Sequence, residues 1–513
     1  MGFWKYAQED PGYLAIVDPD GTEHTAGDVL ARANQIVHAL RALGLERGDT
    51  FAAVLPNGAH PFHLYLAALQ AGWYYVPINY RLSAPEIAYI LEDSDAKAFV
   101  SHERFADIVA PAAESAGIPP EARLVHGNIP GFRSFADFVD AQPTTLPDNR
   151  STGASMHYTS GTTGKPKGVK RALNDIDPDT SAELFTFLLQ LFGITAKNGN
   201  VHLSTSPNYH TAVTTFAGNS LHMGHTVVCM DKWDAEETLR LIETYGCTHT
   251  HMVPTQFIRM LQLPDEVKAK YDVSAMKWAI HAAAPCPVDT KRKMLEWWGP
   301  VIWEYYAATE GGGTIAPPDE WIKYPGTVGR AWPTSELKIT DDDGNVLPTG
   351  EPGTVWMRMG AAAFEYKGDA EKTRKSHDAE GYFTVGDVGY FNEDGYLFLC
   401  DRKSDMIIAG GINIYPAEIE SCIHEHPQVA DVAVFGIPDP ELGEQIKAVV
   451  EPLPGVADDA LRESIMAHVR QRIGKYKWPR SVDFVDELPR EPTGKLLKRK
   501  LRDPYWEGRD RAI

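Results

Sequence analysis

Cysteine is scarce and scattered in this chain of 513 residues. Cys229, Cys247, Cys286, Cys400 and Cys422 are odd in number and form no CxxC pair. That usage excludes a disulfide framework and a cysteine-built zinc site, and it fits a reducing, intracellular compartment. Positive charge is also short. Lys and Arg number 49 against 70 Asp and Glu, a net charge of −21, which argues against general nucleic-acid binding. No run of 18 apolar residues occurs, so no membrane-spanning helix is expected, while peripheral membrane contact stays open. The first ten residues, Met1 to Asp10, lack the apolar core of a signal peptide, and Gly2 lacks the Ser or Thr of a myristoylation site. A cytoplasmic location is the expectation. The 18 histidines include one close pair, His249-Thr-His251. Its i, i+2 spacing suits one face of a strand, and no third ligand for a structural metal is suggested.

What is present is a globular composition, 43% apolar and 23% charged, in a length that suits two to four cores. Residues 1–150 alternate helical and strand patterns. Asp28–Leu43 has helical spacing with Gly44 as its stop, and Phe62–Ala71 is helical again. Phe51–Leu55, Tyr74–Pro77 and Ala96–Ser101 read as strands. This alternation predicts an α/β layer on a parallel sheet. Further on, Thr180–Phe192 and Ala235–Thr244 read as helices, and Thr226–Met230 and Thr248–Val253 as strands. Strands Glu336–Thr340 and Thr354–Met359 flank turns, Asp341–Asn345 being a hairpin turn. The last hundred residues mix strands, Val429–Phe435 and Ile446–Glu451, with a helix over Asp459–Arg472. Between those strands, Gly436–Asp439 and Gly443-Glu444 read as a loop.

Four runs carry chemistry. The densest is Tyr158-Thr-Ser-Gly-Thr-Thr-Gly-Lys-Pro-Lys-Gly-Val169. Glycines let a backbone turn tightly, successive N–H groups make a concave anion site, and hydroxyls and lysines add donors and charge. Gly/Thr-rich runs are often plain surface turns, but this composition suggests a phosphate cradle. It is not a Walker A loop, because Pro166 follows Lys165 and the upstream glycine is missing. The others are Tyr306-Ala-Ala-Thr-Glu310 before three glycines, Gly381-Tyr-Phe-Thr-Val-Gly-Asp387-Val-Gly389, and Glu491-Pro-Thr-Gly-Lys495. A tyrosine ring can stack on adenine. A hydroxyl and a carboxylate beyond it can meet phosphate and magnesium, and a further carboxylate can take a ribose diol bidentately. Standing alone, Thr309-Glu310 would be read as a helix cap and His210, in Ser204-Thr-Ser-Pro-Asn-Tyr-His210, as a loop histidine.

Taken together and in order, from about residue 10 to Arg502, these motifs closely resemble those of the adenylate-forming superfamily, which holds acyl-CoA synthetases, luciferases and peptide-synthetase adenylation domains. The pattern is most like bacterial fatty-acyl-CoA ligases. The resemblance implies an α/β fold: a large N-terminal domain of layered α/β subdomains plus a β-barrel-like part, residues 1–401, then a hinge at 402–404. A small mobile α+β C-terminal domain, 405–513, carries the catalytic lysine. It implies ATP, Mg²⁺ and coenzyme A as cofactors and a small-molecule, apolar carboxylic acid as substrate. The acid is adenylated with release of pyrophosphate, then transferred to CoA. A monomer or homodimer is the expected state.

Residue by residue, the resemblance assigns Thr159, Ser160, Gly161, Thr162, Thr163, Gly164, Lys165 and Lys167 to the phosphates. It assigns Tyr306 to adenine, Thr309 to phosphate, Glu310 to magnesium, Asp387 to ribose and Arg402 to ATP. Lys495 is the catalytic lysine, His210 lies beside the acyl and thiol channels, and Gly410-Gly411 line the CoA channel after the small domain rotates. Three positions depart from the family pattern. Ser404 stands at the hinge, where Lys or Asp is usual. Ala282 and Ala307 replace glycines near the expected acyl site, each adding a methyl there. The alternatives weighed are an adenylating enzyme that feeds a carrier protein, a luciferase-like oxygenase, and a non-catalytic acyl or nucleotide sensor.

Overall fold

The computed structural model describes residues 2–159, 166–308, 311–359, 365–366, 373–374, 376–402, 405–490 and 496–507. Two compact units emerge. One comprises Met1–His251, Asp265–Ala279 and Ala361–Lys375; the other Met252–Pro264, Ile280–Gly360 and Ser376–Ile513.

The first unit contains a six-stranded parallel sheet. Its strand order is Arg133–Ser134, Arg123–His126, Ala96–His102, Thr50–Val54, Tyr74–Pro77 and Ala154–Ser155. Thr50–Val54 and Tyr74–Pro77 are buried throughout, which is why both read as short continuous apolar runs rather than as alternating ones. The helix Ala26–Ala42 starts on a reciprocal cap. The Thr25 hydroxyl accepts from the Asp28 N–H at 3.2 Å, and the Asp28 carboxylate accepts from the Thr25 N–H at 3.2 Å. Gly44 follows its end in the left-handed region, φ 89°. The helix Ala59–Ala71 is buried on almost all sides, and Gly72 ends it, also left-handed. A second set of parallel strands runs in the order His249–Met252, Val201–Ser204, Thr226–Cys229 and Leu14–Val17, with Glu23–Thr25 antiparallel at its edge. The expected helix over Thr180–Phe192 is instead two, Pro178–Phe185 and Phe187–Leu191. The break falls at Thr186, whose hydroxyl donates to the Glu183 carbonyl at 2.8 Å in competition with the helix ladder.

The second unit contains the antiparallel strands Ile302–Ala308, Gly311–Ala316 and Arg330–Ala331. Among the described residues the barrel-like part is an open antiparallel sheet rather than a closed barrel. Its order is Ser335–Thr340, Gly353–Met359, Asp387–Phe391 and Leu397–Arg402. The last part is α+β. Ile412–Ile414, Ile407–Ala409, Gly443–Pro452 and Val429–Asp439 pair antiparallel, and Ser481–Phe484 adds in parallel. Helices Pro416–His424 and Asp459–Arg472 bury Ile419, Ile423, Ile465 and Val469 in a core with Val434, Ala448 and Val450. The loop expected over Gly436–Asp439 and Gly443-Glu444 is a tight hairpin turn. Its strands stay paired as far as Asp439 and Gly443, because the Asp439 carboxylate accepts from the Glu441 and Leu442 N–H groups at 2.9 and 2.8 Å.

Candidate active site

In the first unit the arms of the Gly/Thr-rich loop are two strands, His157–Thr159 and Lys167–Lys170. They pair Lys167 with Thr159, Gly168 with Tyr158 and Val169 with His157. Ser160, Gly161, Thr162, Thr163, Gly164 and Lys165 lie outside the described residues. Gly168 has a steric reason to be glycine, since a β-carbon there would sit 3.0 Å from the Tyr158 ring. That ring reaches the end of the helix Ala84–Asp93, donating from its hydroxyl to Asp93 at 2.7 Å. The Tyr74 hydroxyl fixes the other arm, donating to the Arg171 carbonyl at 2.7 Å.

His210 is the N-cap residue of the helix Thr211–His222 and lies near the first arm of this loop. Its neighbour Tyr209 offers its carbonyl to His157 Nδ1, 3.3 Å away, and His157 lies on the loop's first arm. Burial, helped by His157, His251 and Arg81, pulls the His210 pKa down to about 3, so the imidazole is neutral at pH 7. Its Nε2 has no hydrogen-bond partner among the described residues. A neutral ring with one open nitrogen can donate to or accept from a substrate without adding charge to the site. The loop that presents it is pinned by a residue that no chemical motif marks. Buried Asn57 donates to the Met230 carbonyl at 2.7 Å, and its side-chain oxygen accepts from the Asn208 N–H at 2.9 Å. Only the sequence Pro56-Asn-Gly58 marks it, and that pattern also fits an ordinary turn.

In the second unit three assigned nucleotide contacts converge. The Tyr306 hydroxyl donates to Asp387 Oδ2 at 2.6 Å, and Arg402 Nε lies 3.2 Å from Asp387 Oδ1. The geometry follows from the sheet. Asp387 and Arg402 sit directly opposite one another on adjacent antiparallel strands. Asp387 is buried, yet an ionised carboxylate has about four lone-pair sites, and these two neighbours leave others for a diol. The strand bearing Tyr306 pairs with a strand that begins in three glycines. Ala308 pairs with Gly311 and Ala307 with Gly313, while Gly311 and Gly312 have φ of 124° and 69°. A β-carbon on Gly313 would lie 2.3 Å from the Tyr306 carbonyl and 3.0 Å from the Ala307 methyl. The Ala307 methyl is therefore accommodated by glycine on the paired strand. Thr309 and Glu310 lie outside the described residues.

Ala282 is buried. The next residue, Ala283, holds φ at 72°, a left-handed conformation that costs an L-residue roughly 1–2 kcal/mol. Behind this loop lies a buried ion pair that sequence reading missed. Lys291 Nζ is 2.7 Å from Glu304 Oε2, and His281 Nε2 is 3.5 Å from the same oxygen. Burial pulls the Lys291 pKa down and pushes that of Glu304 up, each opposed by its partner.

At the expected hinge, Asp401 is pushed up to about 6, chiefly by burial, although it accepts from the Arg402 and Ala417 N–H groups. Ser404 lies outside the described residues. Gly410 and Gly411 form a two-residue turn between paired strands, with φ of 59° and 78°, as a type I′ hairpin requires. Glu491 to Lys495 lie outside the described residues, but their stems are fixed. Arg490 bridges to Leu496, and its Nε lies 2.9 Å from buried Asp431. Lys498 lies 2.8 Å from Glu420. Among the described residues no group of three or more His, Cys, Asp or Glu side chains is arranged to hold a metal ion, and no helix is long and apolar enough to cross a membrane.

A Gly/Thr-rich run between paired strands, and a tyrosine and an arginine that share one carboxylate, accompany a class, the adenylate-forming enzymes. The chain belongs to the AMP-binding enzyme family. That family's model matches residues 3–366, and the model described as the AMP-binding enzyme C-terminal domain matches 418–495. The chain is 33% identical to the long-chain-fatty-acid–CoA ligase FadD13 of Mycobacterium tuberculosis, over 97% of each chain. It is 32% identical to the fatty acid–[acyl-carrier-protein] ligase ScoC of Streptomyces coeruleorubidus, over 99% of this chain and 96% of that protein. The solved anthranilate CoA ligase AuaEII, in complex with anthranoyl-AMP, has a TM-score of 0.88 at 28% identity. The match covers 98% of this chain and 97% of that one.

Proposed function

We propose that this adenylate-forming acyl-CoA ligase activates an apolar carboxylic acid, fatty, aryl or ring-bearing, and passes it to coenzyme A. The observation that carries the reading is the convergence of Tyr306 and Arg402 on Asp387, a donor–acceptor set suited to an adenosine ribose. In the first half-reaction a carboxylate oxygen attacks the α-phosphorus of ATP and the bond to pyrophosphate breaks. Both partners are anionic, and two unit charges 4 Å apart repel by about 4 kcal/mol at an effective dielectric near 20. Backbone N–H groups of the 160–165 loop, Lys167 and Lys495 would offset that repulsion, and bound magnesium on Glu310 would supply further positive charge. In the second half-reaction the CoA thiol attacks the acyl carbonyl and AMP leaves. His210, neutral beside the loop, is suited to orient the reacting carboxyl group. We assign residues 402–404 to the hinge on which the small domain, 405–513, turns between the two steps.

The composition of residues 180–310, rich in Phe, Leu, His and Thr, supports an apolar acid. Phe216 and Phe192 pack with centroids 5.9 Å apart, and Phe216 lies 4.8 Å from the His251 ring. Among the relatives are a feruloyl-CoA synthase from Amycolatopsis and a ligase from Rhodococcus jostii named for a fused-ring propanoyl group, 30% and 32% identical. The second reading, transfer to a carrier protein, has ScoC in its favour. Pyrophosphate release with ATP and Mg²⁺ across a panel of acids, each with CoA, with a phosphopantetheinyl carrier protein or with neither, separates the two. Multiple turnovers with CoA and an apolar acid are the expected result. Turnover with the carrier alone would move the acceptor, and ATP binding with no release for any acid would leave only a sensor.

A further inference from the structure

His281, Lys291 and Glu304 lie in one βαβ stretch of the second unit. His281 ends a strand, Lys291 lies in the following helix Val288–Trp298, and Glu304 lies in the next strand, Ile302–Ala308. Their polar ends meet at a single oxygen. Glu304 Oε2 is 2.7 Å from Lys291 Nζ and 3.5 Å from His281 Nε2, and both His281 and Lys291 are fully buried. Apolar and aromatic groups close the cluster. The Lys291 ammonium lies 4.7 Å above the Trp321 ring, and the Phe257 ring meets His281 edge-on at 5.3 Å.

A buried ion pair is poor at stabilising a fold, since apolar residues of similar volume do as well or better. What it does well is fix relative position, because charge and direction must both be satisfied. Each anchored residue here directs a part of the proposed site. Directly after His281 come Ala282 and Ala283, where the backbone is held in a left-handed conformation that alanine resists. Such strain persists only where the surroundings over-determine it. Two residues after Glu304, on the same side of the strand, comes Tyr306, whose hydroxyl reaches Asp387.

We infer that Glu304, held by Lys291 and lying beside His281, is a positioning residue that sets the loop 282–285 against the strand bearing Tyr306, and so aligns the acid with the nucleotide. This rests on the ligase reading, and the experiment keeps the two apart. Wild-type enzyme with the best acid of the panel is assayed for pyrophosphate release beside the double variant Lys291→Met/Glu304→Leu and the single variant Glu304→Gln. The double variant removes the charges together and keeps the volume filled, so its thermal midpoint stays near that of wild type. KM for ATP and KM for the acid both rise, by about tenfold, and kcat/KM falls by about a hundredfold, the scale set by a misplacement near 1 Å. A purely structural role would lower the folded fraction, hence the apparent kcat, and leave both KM values within twofold of wild type. That result in a soluble variant overturns the inference. Glu304→Gln keeps the shape but leaves the Lys291 ammonium without its counter-charge, so it lowers the folded fraction; its KM values, which do not depend on that fraction, rise as in the double variant. Absence of release by wild type itself would instead count against the ligase reading.

Discussion

Asp387 is the residue on which nucleotide recognition is expected to turn. Asp387→Ala removes the proposed acceptor for a ribose diol and takes from the Tyr306 hydroxyl and Arg402 their shared carboxylate. Hydrogen bonds to a charged group are worth about 1.5–3 kcal/mol, so KM for ATP should rise about 10- to 100-fold, while KM for the acid moves less than about twofold. Steady-state kinetics with each substrate varied in turn checks this. Ala283 gives a second expectation. Ala283→Gly removes the left-handed strain at φ 72° but adds backbone freedom to the unfolded chain. The net gain is at most about 1 kcal/mol, a rise of about 1–2 °C in thermal midpoint. A fall in midpoint would show that the alanine methyl contributes packing that outweighs the strain.

What the sequence revealed at this scale, it revealed by local order. Tyr306, Asp387 and Arg402 were recognisable because each sits inside a short motif, and the sheet then brings them together. Asn57 and Glu304 carry no such mark. Their partners are 151 and 13 residues away, and a turn asparagine or a strand glutamate looks the same whether or not it is buried. Side-chain burial is decided by the packing of other elements, which periodicity does not report.

At the scale of elements, the parallel strands of the first unit carry an unusual load of buried histidine. His202, His249 and His251 lie on neighbouring strands, with His222 and His225 at the end of the adjacent helix. The His202 and His249 rings are 4.8 Å apart, and the His225 and His249 rings 5.3 Å. Burial pulls all five down, His202 and His222 to about 3, His225 and His251 to about 4, and His249 well below its ordinary value. In the folded state these rings stay neutral at a pH where the unfolded chain, near 6.5, takes up protons. Stability is therefore intact above about pH 6.5 and is lost as pH falls toward 4, each ring contributing up to about 1.4 kcal/mol per pH unit. Urea midpoints should be flat from pH 8 to 7 and fall steeply below 6.5. His202→Leu should flatten that fall by about one proton, and an unchanged slope would show that His202 is protonated in the fold.

The same strands show why elements were more legible than their ends. His249-Thr-His251 reads as one strand face because the period of two is local, and the strand is there. The helix expected over Thr180–Phe192 breaks at Thr186 because a hydroxyl competes for a backbone carbonyl. The expected loop near Asp439 is a paired turn because one carboxylate collects two N–H groups. Both outcomes depend on side-chain hydrogen bonds, to which hydrophobic spacing is blind. In the C-terminal part, Lys498 lies half-buried against Glu420, with Asp401 and Asp405 adding attraction that holds its pKa up against desolvation. Lys498→Met would leave partly buried carboxylates without their counter-charge, a loss of about 1.5–3 kcal/mol, read as early unfolding of the small domain by hydrogen exchange.

At the scale of the whole molecule, the proposal is a two-step enzyme whose small domain serves each step in turn. In that proposal Lys495 serves the first step only. Lys495→Ala should therefore cut adenylation by a factor on the order of 10² or more, the size seen when a charge-stabilising group is removed. Conversion of a supplied acyl-adenylate to thioester by CoA should stay near the wild-type rate. Equal losses in both half-reactions would contradict rotation of the domain between steps.

The most direct test of the central claim follows the oxygen. Acid labelled with ¹⁸O in both carboxylate positions is turned over with ATP and CoA, and the products are weighed by mass spectrometry. Attack of the carboxylate on the α-phosphorus transfers one labelled oxygen to each AMP and none to pyrophosphate. Unlabelled AMP, or label in a released phosphate instead, would contradict an acyl-adenylate.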